Sequence, residues 1–326
     1  MPRSHSVARH HDAAADKSTS SFTRLYRLSR LLLQIVYGCV GVAVLFPFFS
    51  DDRRRWAIRF WSRQALGILH LRLTVLGSLP SGRVPTLVVS NHVSWVDICI
   101  LNTVLPLRFV AKSDVRRWPL VGFLVSSVGT IFVERTNPLD TVRTNRAIEE
   151  ALTRGEHVAI FPEGTSTDGT EIKPFHASLF QPGLGAVARV VAVGIRYVNS
   201  DGSVNLNASY AGERSLWESF RLVVARRSLH AELIFAGSID VNGKTRGDIA
   251  RAAEWATADA LQLPRPGMKT GMAAGVPPGS SPIDSPHPVP LQSVSAPRTG
   301  VTGDREEGAR AAHPSCDRAP GQDLLG

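Results

Sequence analysis

Between residues 82 and 263 short apolar runs alternate with longer segments of helical period, and this alternation restricts the fold more than any other feature of the chain. PTLVVS (85–90), LRFVAK (107–112), GTIFVER (129–135) and HVAIF (157–161) read as strands, followed by VARVVAVGIRYV (187–198) and AELIFAGSID (231–240). WVDICILNTVL (95–105), WPLVGFLVSSVG (118–129) and LDTVRTNRAIEEALTRG (139–155) read as intervening helices, and RGDIARAAEWATADALQL (246–263) as a final one. Parallel strands need crossovers of about a dozen residues or more, usually helical. The order therefore predicts an α/β body with a mixed, largely parallel central sheet flanked by helices. Chemistry on such sheets collects where strands end, which points to the loops after residues 90, 135 and 161.

The flanks read differently. Residues 1–20 carry no apolar period, and 11 of the 21 prolines lie beyond residue 263. Proline removes backbone donors and breaks periodicity, so disorder is expected over 1–20 and over a Pro/Gly-rich tail, 264–326. Between them we expect membrane-anchoring and interfacial helices over 21–75 and a catalytic domain over 76–263.

Residues 31–50, LLLQIVYGCVGVAVLFPFFS, hold no formal charge and match the length a helix needs to cross a hydrocarbon core of about 30 Å. Gly38, Gly41 and Pro47 suit a membrane better than a soluble helix. Arginines on both sides, Arg24, Arg27 and Arg30 before and Arg53, Arg54 and Arg55 after, leave a spanning helix and a hairpin in one leaflet both open. The basic, tryptophan-bearing stretch 56–73 reads as an interfacial helix.

A net charge of +9 points to an anionic partner. The densest basic cluster, Arg53 to Arg55 with Arg59 and Arg63, is interleaved with Trp56, Phe60 and Trp61, which favours a lipid surface over a nucleic-acid groove. Cys39, Cys99 and Cys316 have neither CxxC nor metal spacing, so no disulfide framework and no metal site are expected.

The loop after the first strand reads SNHVSWVD. Five residues of helix separate side chains by roughly 140°, so His92 and Asp97 cannot meet within one regular helix. With Ser94 as N-cap, Asp97 takes the third helical position and His92 the preceding turn, from which the imidazole can fold back to the carboxylate. Such a pair fixes the ring tautomer and frees the other nitrogen to take a proton from a hydroxyl. Taken alone, the same residues also suit a helix cap and a loop filler. GTIFVER places Glu134 and Arg135 at a strand end, where arginine can grip a phosphate or carboxylate. FPEGTSTDG (161–169) places Glu163 and Gly164 after another strand, and three polar loops on one sheet converge. There is no G-x-S-x-G elbow, phosphate loop or H-E-x-x-H. A His/Asp pair without a committed nucleophile implies direct attack by the substrate's own hydroxyl.

NHVSWVD resembles the NHxSxxD block of the glycerolipid acyltransferases, and GTIFVER and FPEGTSTDG resemble the family's second and third blocks, in order. The resemblance spans roughly residues 60–262. In the fourth block Ala192 stands where the family carries proline, which affects the edge of the pocket. The resemblance implies transfer of an acyl chain from acyl-carrier protein or acyl-CoA, as co-substrate and with no cofactor, to a lysolipid hydroxyl. The first acceptor it implies is 1-acyl-sn-glycerol-3-phosphate, giving phosphatidic acid. Similarity to lyso-ornithine lipid acyltransferases offers an alternative acceptor, and an inactive membrane-anchored lipid-binding protein is the reading of another class. It further implies His92 as general base, Asp97 as its orienting partner, Arg135 and Lys112 as headgroup contacts, and Glu163 and Gly164 as acceptor-binding residues. The expected location is the inner membrane, with the catalytic domain facing the cytoplasm and no nucleic-acid partner.

Overall fold

The computed structural model describes residues 19–79, 84–134, 138–182, 189–199, 201–206 and 216–267. The segments expected to be disordered lie outside these residues, apart from Thr19, Ser20 and residues 264–267. Among the described residues seven strands form one sheet: β1 Leu71–Leu76, β2 Thr86–Ser90, β3 Arg108–Lys112, β4 Ile131–Val133, β5 Val158–Ile160, β6 Arg189–Val198 and β7 Leu229–Ile239. Their order is β1-β7-β6-β2-β5-β3-β4. Every neighbouring pair is parallel except β6 and β7. The expected mixed, largely parallel α/β sheet is therefore present, and β1 and β7 run opposite to the other five strands.

The helices are α1 Ser21–Val44, α2 Asp51–Ile68, α3 Val96–Val104, α4 Val121–Ser127, α5 Pro138–Thr153, α6 Leu216–Ala225 and α7 Arg246–Leu261. Period-two alternation in the strands sorts side chains between two layers. Val88, Val191, Val193, Ile195 and Tyr197 join a core with α1, α2, α3 and α6. Leu87, Val89, Val190 and Ala192 face the opposite way, into a core with α5 and α7. All five residues of β2 are buried, as expected of a parallel strand covered on both faces.

Two local readings need correction. Residues 56–73 do not form one helix: α2 ends at Ile68, His70 turns through φ 51°, and Leu71–Leu76 pairs with β7 as the edge strand. Alternating apolar positions in a basic stretch fit both periods over so few residues, and only the partner strand decides between them. Nor does α1 coincide with 31–50. It runs from Ser21 to Val44, capped by the Ser20 side chain, and stops before a 3₁₀ turn carrying Pro47.

Helix α1 remains long and apolar enough to cross a membrane. One face of it, however, is packed against the body through Arg27, Leu31, Gly38, Cys39 and Val42. Gly38 has a packing reason: a Cβ there would lie 2.7 Å from Trp61 Nε1 and 3.1 Å from Leu124 Cδ1. Arg27 is 3% exposed and donates to the backbone carbonyls of Val224, Arg226 and Arg227, tying α1 to the turn between α6 and β7. The opposite face exposes Leu25, Leu32, Leu33, Tyr37 and Val40.

Candidate active site

The parallel strands β2, β5 and β3 end on one edge of the sheet, and the chain leaves β2 there as Asn91-His92. Asn91 continues the ladder with its side chain, donating from Nδ2 to Ile195 O at 2.9 Å and accepting from Ile195 N at 2.8 Å. The turn before α3 is thereby anchored to β6 at the residue preceding His92.

His92 and Asp97 meet: Nδ1 and Oδ2 lie 2.9 Å apart. The cap differs in detail from the expected one. Trp95 is the N-cap of α3, and Asp97 sits in the first turn with its carboxylate reaching back. Oδ2 also accepts the backbone N–H groups of Val93 at 2.8 Å and Ser94 at 2.9 Å. These two amides belong to the helix entrance, where free donors and the helix dipole both favour an anion. Asp97 is fully buried while the His92 side chain keeps 21% of its surface exposed. A carboxylate can only accept, so Nδ1 carries the proton and Nε2 is left to act on a ligand. Phe161 stacks on the ring, centroids 4.2 Å apart.

The loop after β5 completes the frame. Glu163 Oε1 accepts from His92 N at 2.8 Å, and Oε2 from Lys173 N at 3.1 Å. Thr167 N donates to His92 O at 2.8 Å, so both backbone polar groups of His92 are held by this one loop. Burial pushes the Glu163 carboxyl up to about 7, against the opposing pull of its two backbone donors and of His92. Gly164 closes the turn with its N–H on Phe161 O and has φ 72°, a left-handed conformation that disfavours other residues.

Lys112 is separate from this cluster. It ends β3, its side chain is 60% exposed, and its Nζ pairs with Asp114 at 2.8 Å. The register places it on the same edge: Phe109 lies beside Ala159 and Val89 beside Ile160, so Lys112 is level with Asn91 two strands away. At about 4.8 Å per strand that is roughly 10 Å. Arg135 lies outside the described residues; Val133, next to Lys112 in the register, is the last residue of β4 before it. Ala192 is fully buried in β6 between Val89 and Gly237, beside a register shift in which β7 carries an extra residue.

Tyr197 was not legible as a site residue, because a tyrosine in an apolar strand reads as core. Its hydroxyl donates to Asp97 Oδ1 at 2.7 Å. Asn91 and Phe161 were within the quoted motifs, but their contacts depend on strand neighbours that spacing does not reveal.

An acyltransferase family model matches residues 72–196, a span containing His92, Asp97 and Glu163. The 1-acyl-sn-glycerol-3-phosphate acyltransferase of Neisseria meningitidis is 35% identical over 197 residues, 60% of this chain and 77% of that protein. The lyso-ornithine lipid O-acyltransferase of Pseudomonas aeruginosa is 37% identical over 210 residues, 64% of this chain and 79% of that protein. The crystal structure of the 1-acyl-sn-glycerophosphate acyltransferase PlsC from Thermotoga maritima shares the fold, with a TM-score of 0.57 at 17% identity, covering 74% of this chain and 95% of that one. With relatives above 30% identity matched over more than two thirds of their length, and with the family model lying across the His92 and Glu163 loops, this chain belongs to the glycerolipid acyltransferase family.

Proposed function

We propose that the protein acylates the free hydroxyl of a lysolipid at the membrane surface, with 1-acyl-sn-glycerol-3-phosphate as acceptor and phosphatidic acid as product. The observation that carries this reading is the His92–Asp97 pair, a ring with one nitrogen committed to a buried carboxylate and the other unbonded among the described residues. Nε2 takes the acceptor's hydroxyl proton as the oxygen attacks the thioester carbonyl of acyl-carrier protein or acyl-CoA. The tetrahedral intermediate then collapses, the C–S bond breaks, and the imidazolium returns the proton to the departing sulfur. Asp97 stabilises the imidazolium in between. General-base assistance of this kind contributes about 10²–10⁴-fold, and a thioester needs no further activation.

In this reading Arg135 and Lys112 contact the acceptor's anionic headgroup, Lys112 from the end of β3, and Gly164 lets the loop backbone approach the acceptor. Glu163 acts by fixing the backbone of His92, since both its oxygens are engaged by amides. A second acceptor, lyso-ornithine lipid, is supported by the similarity to O-acyltransferases for that lipid. Its carboxylate suits arginine as well as a phosphate does.

The apolar outer face of α1, with stacked Trp56 and Phe60 on α2 and exposed Leu120 and Phe123 at α4, suits insertion into one leaflet. Arg53, Arg55 and Arg63 on α2 complement anionic headgroups. In the same reading the body faces the cytoplasm from the inner membrane, where a water-soluble acyl donor can reach it. The experiment is an assay of membranes carrying the protein, with labelled acyl-carrier protein or acyl-CoA against a panel of lysolipids, wild type beside His92→Ala. Incorporation into phosphatidic acid that disappears in the variant supports the reading. Equal incorporation by both forms rejects it, and labelling of ornithine lipid alone selects the second acceptor.

A further inference from the structure

Asp97 is bonded on both oxygens, but unequally. Oδ2 serves His92 and two amides of the turn, whereas Oδ1 is met by the phenol of Tyr197, which reaches it from β6 at 2.7 Å. Tyr197 is 1% exposed. The contact joins a residue in the middle of the sheet to the helix that bears the acid, and it lies outside all three polar loops. A buried tyrosine hydroxyl ordinarily finds some partner. Here the partner is the one carboxylate whose plane sets the direction of the His92 ring.

We propose that Tyr197 is a positioning residue for acyl transfer: it holds the plane of the Asp97 carboxylate against Nδ1 and, by drawing charge from that carboxylate, sets the basicity of His92. The inference rests on His92 being the base. Other groups facing the pair leave the phenol as the adjustable element. Glu163 holds the backbone amide of His92, and its carboxyl, pushed up to about 7, acts on the ring alike in every protein compared; Phe161 covers the ring with an apolar face, and Cys99 on α3 stays a neutral thiol, pushed up to about 12 by burial and by the charge of Asp97. Burial and the same charge hold Tyr197 well above the usual phenol range, so it remains a donor throughout the working range of pH. Removing that donor concentrates charge on Asp97, which strengthens its hold on the imidazolium and raises the pH at which His92 becomes available as a base.

The test compares Tyr197→Phe with the protein carrying 3,5-difluorotyrosine at position 197, a stronger donor of nearly the same shape. The pH dependence of kcat and of kcat/KM is measured for both, with thermal midpoints as the control on folding. Tyr197→Phe should lower kcat by roughly tenfold to a hundredfold, the loss of a hydrogen bond to a charge, with KM little changed. It should also move the acid limb upward by about half a unit or more, while the fluorinated protein moves it downward. Acid limbs that stay in place in both proteins overturn the inference, whatever happens to the midpoints. If Tyr197→Phe does not accumulate, the fluorinated protein decides alone. An active His92→Ala would instead remove the base assignment itself, so the two failures are distinguishable.

Discussion

The amide of His92 donates to Glu163 Oε1 at 2.8 Å, which makes the loop after β5 a mould for the backbone of the residue proposed as the base. The third sequence block thus serves the first block structurally, through main-chain geometry. Glu163→Ala strips partners from the amides of both His92 and Lys173. An unsatisfied buried donor costs about 1–3 kcal/mol, so the variant should lose comparable stability and, because His92 loosens, lose kcat more than acceptor KM. A change confined to KM would show that Glu163 contacts the acceptor directly.

Glu163 also gives stability a pH dependence. Its carboxyl releases a proton near 4.5 when unfolded and near about 7 when folded. Between those values the unfolded state binds fewer protons, so folding stability from this group is fully present below 4.5 and falls as pH rises through 7. The integrated effect is up to about 3 kcal/mol at 1.36 kcal/mol per unit. Thermal midpoints of wild type and Glu163→Gln, measured from pH 5 to pH 8, should shift steadily in favour of the glutamine variant. Parallel curves would mean the carboxyl is ionised throughout.

Asp97→Asn keeps an acceptor for the amides of Val93 and Ser94 but removes the charge that stabilises the imidazolium. Activity should fall on the order of a hundredfold or more, with a folded protein by circular dichroism. Activity within about twofold of wild type would leave Asp97 as a helix cap only, a role whose loss costs about 1 kcal/mol.

Leu33 and Tyr37 lie on the outer face of α1, 66% and 58% exposed. Replacing both with glutamate should move the protein from the membrane to the soluble fraction while leaving its thermal midpoint nearly unchanged, since neither side chain packs on the body. Cysteines placed at Ser21 and Phe49 should react with an impermeant thiol reagent from the same side of sealed vesicles. Labelling of the two sites from opposite sides would establish a spanning helix.

Helix α1 packs on the body as well as offering an apolar outer face: Arg27 and Leu31 are 3% and 4% exposed, and the Arg27 guanidinium is bonded to three carbonyls near the end of α6. Deleting 1–55 should therefore lower the thermal midpoint of the remaining body as well as its membrane binding. An unchanged midpoint would refute the packing role of α1.

What the sequence determined by itself follows from local chemistry. Strand and helix period made the α/β body legible, the His92 to Asp97 spacing required a pre-helical turn, and the order of three polar loops at strand ends pointed to the candidate site. Each depends on the covalent chain and on neighbours a few residues apart. Only tertiary structure decided that Leu71–Leu76 is a strand, because a short alternating run needs its β7 partner to be distinguished from a helix. The same holds for Tyr197, 100 residues beyond Asp97 along the chain and 2.7 Å from it in the fold. Sheet order, set by burial of both faces at once, brings β6 beside β2 and with it the phenol to the acid, and no spacing rule encodes a contact that a third element must first create.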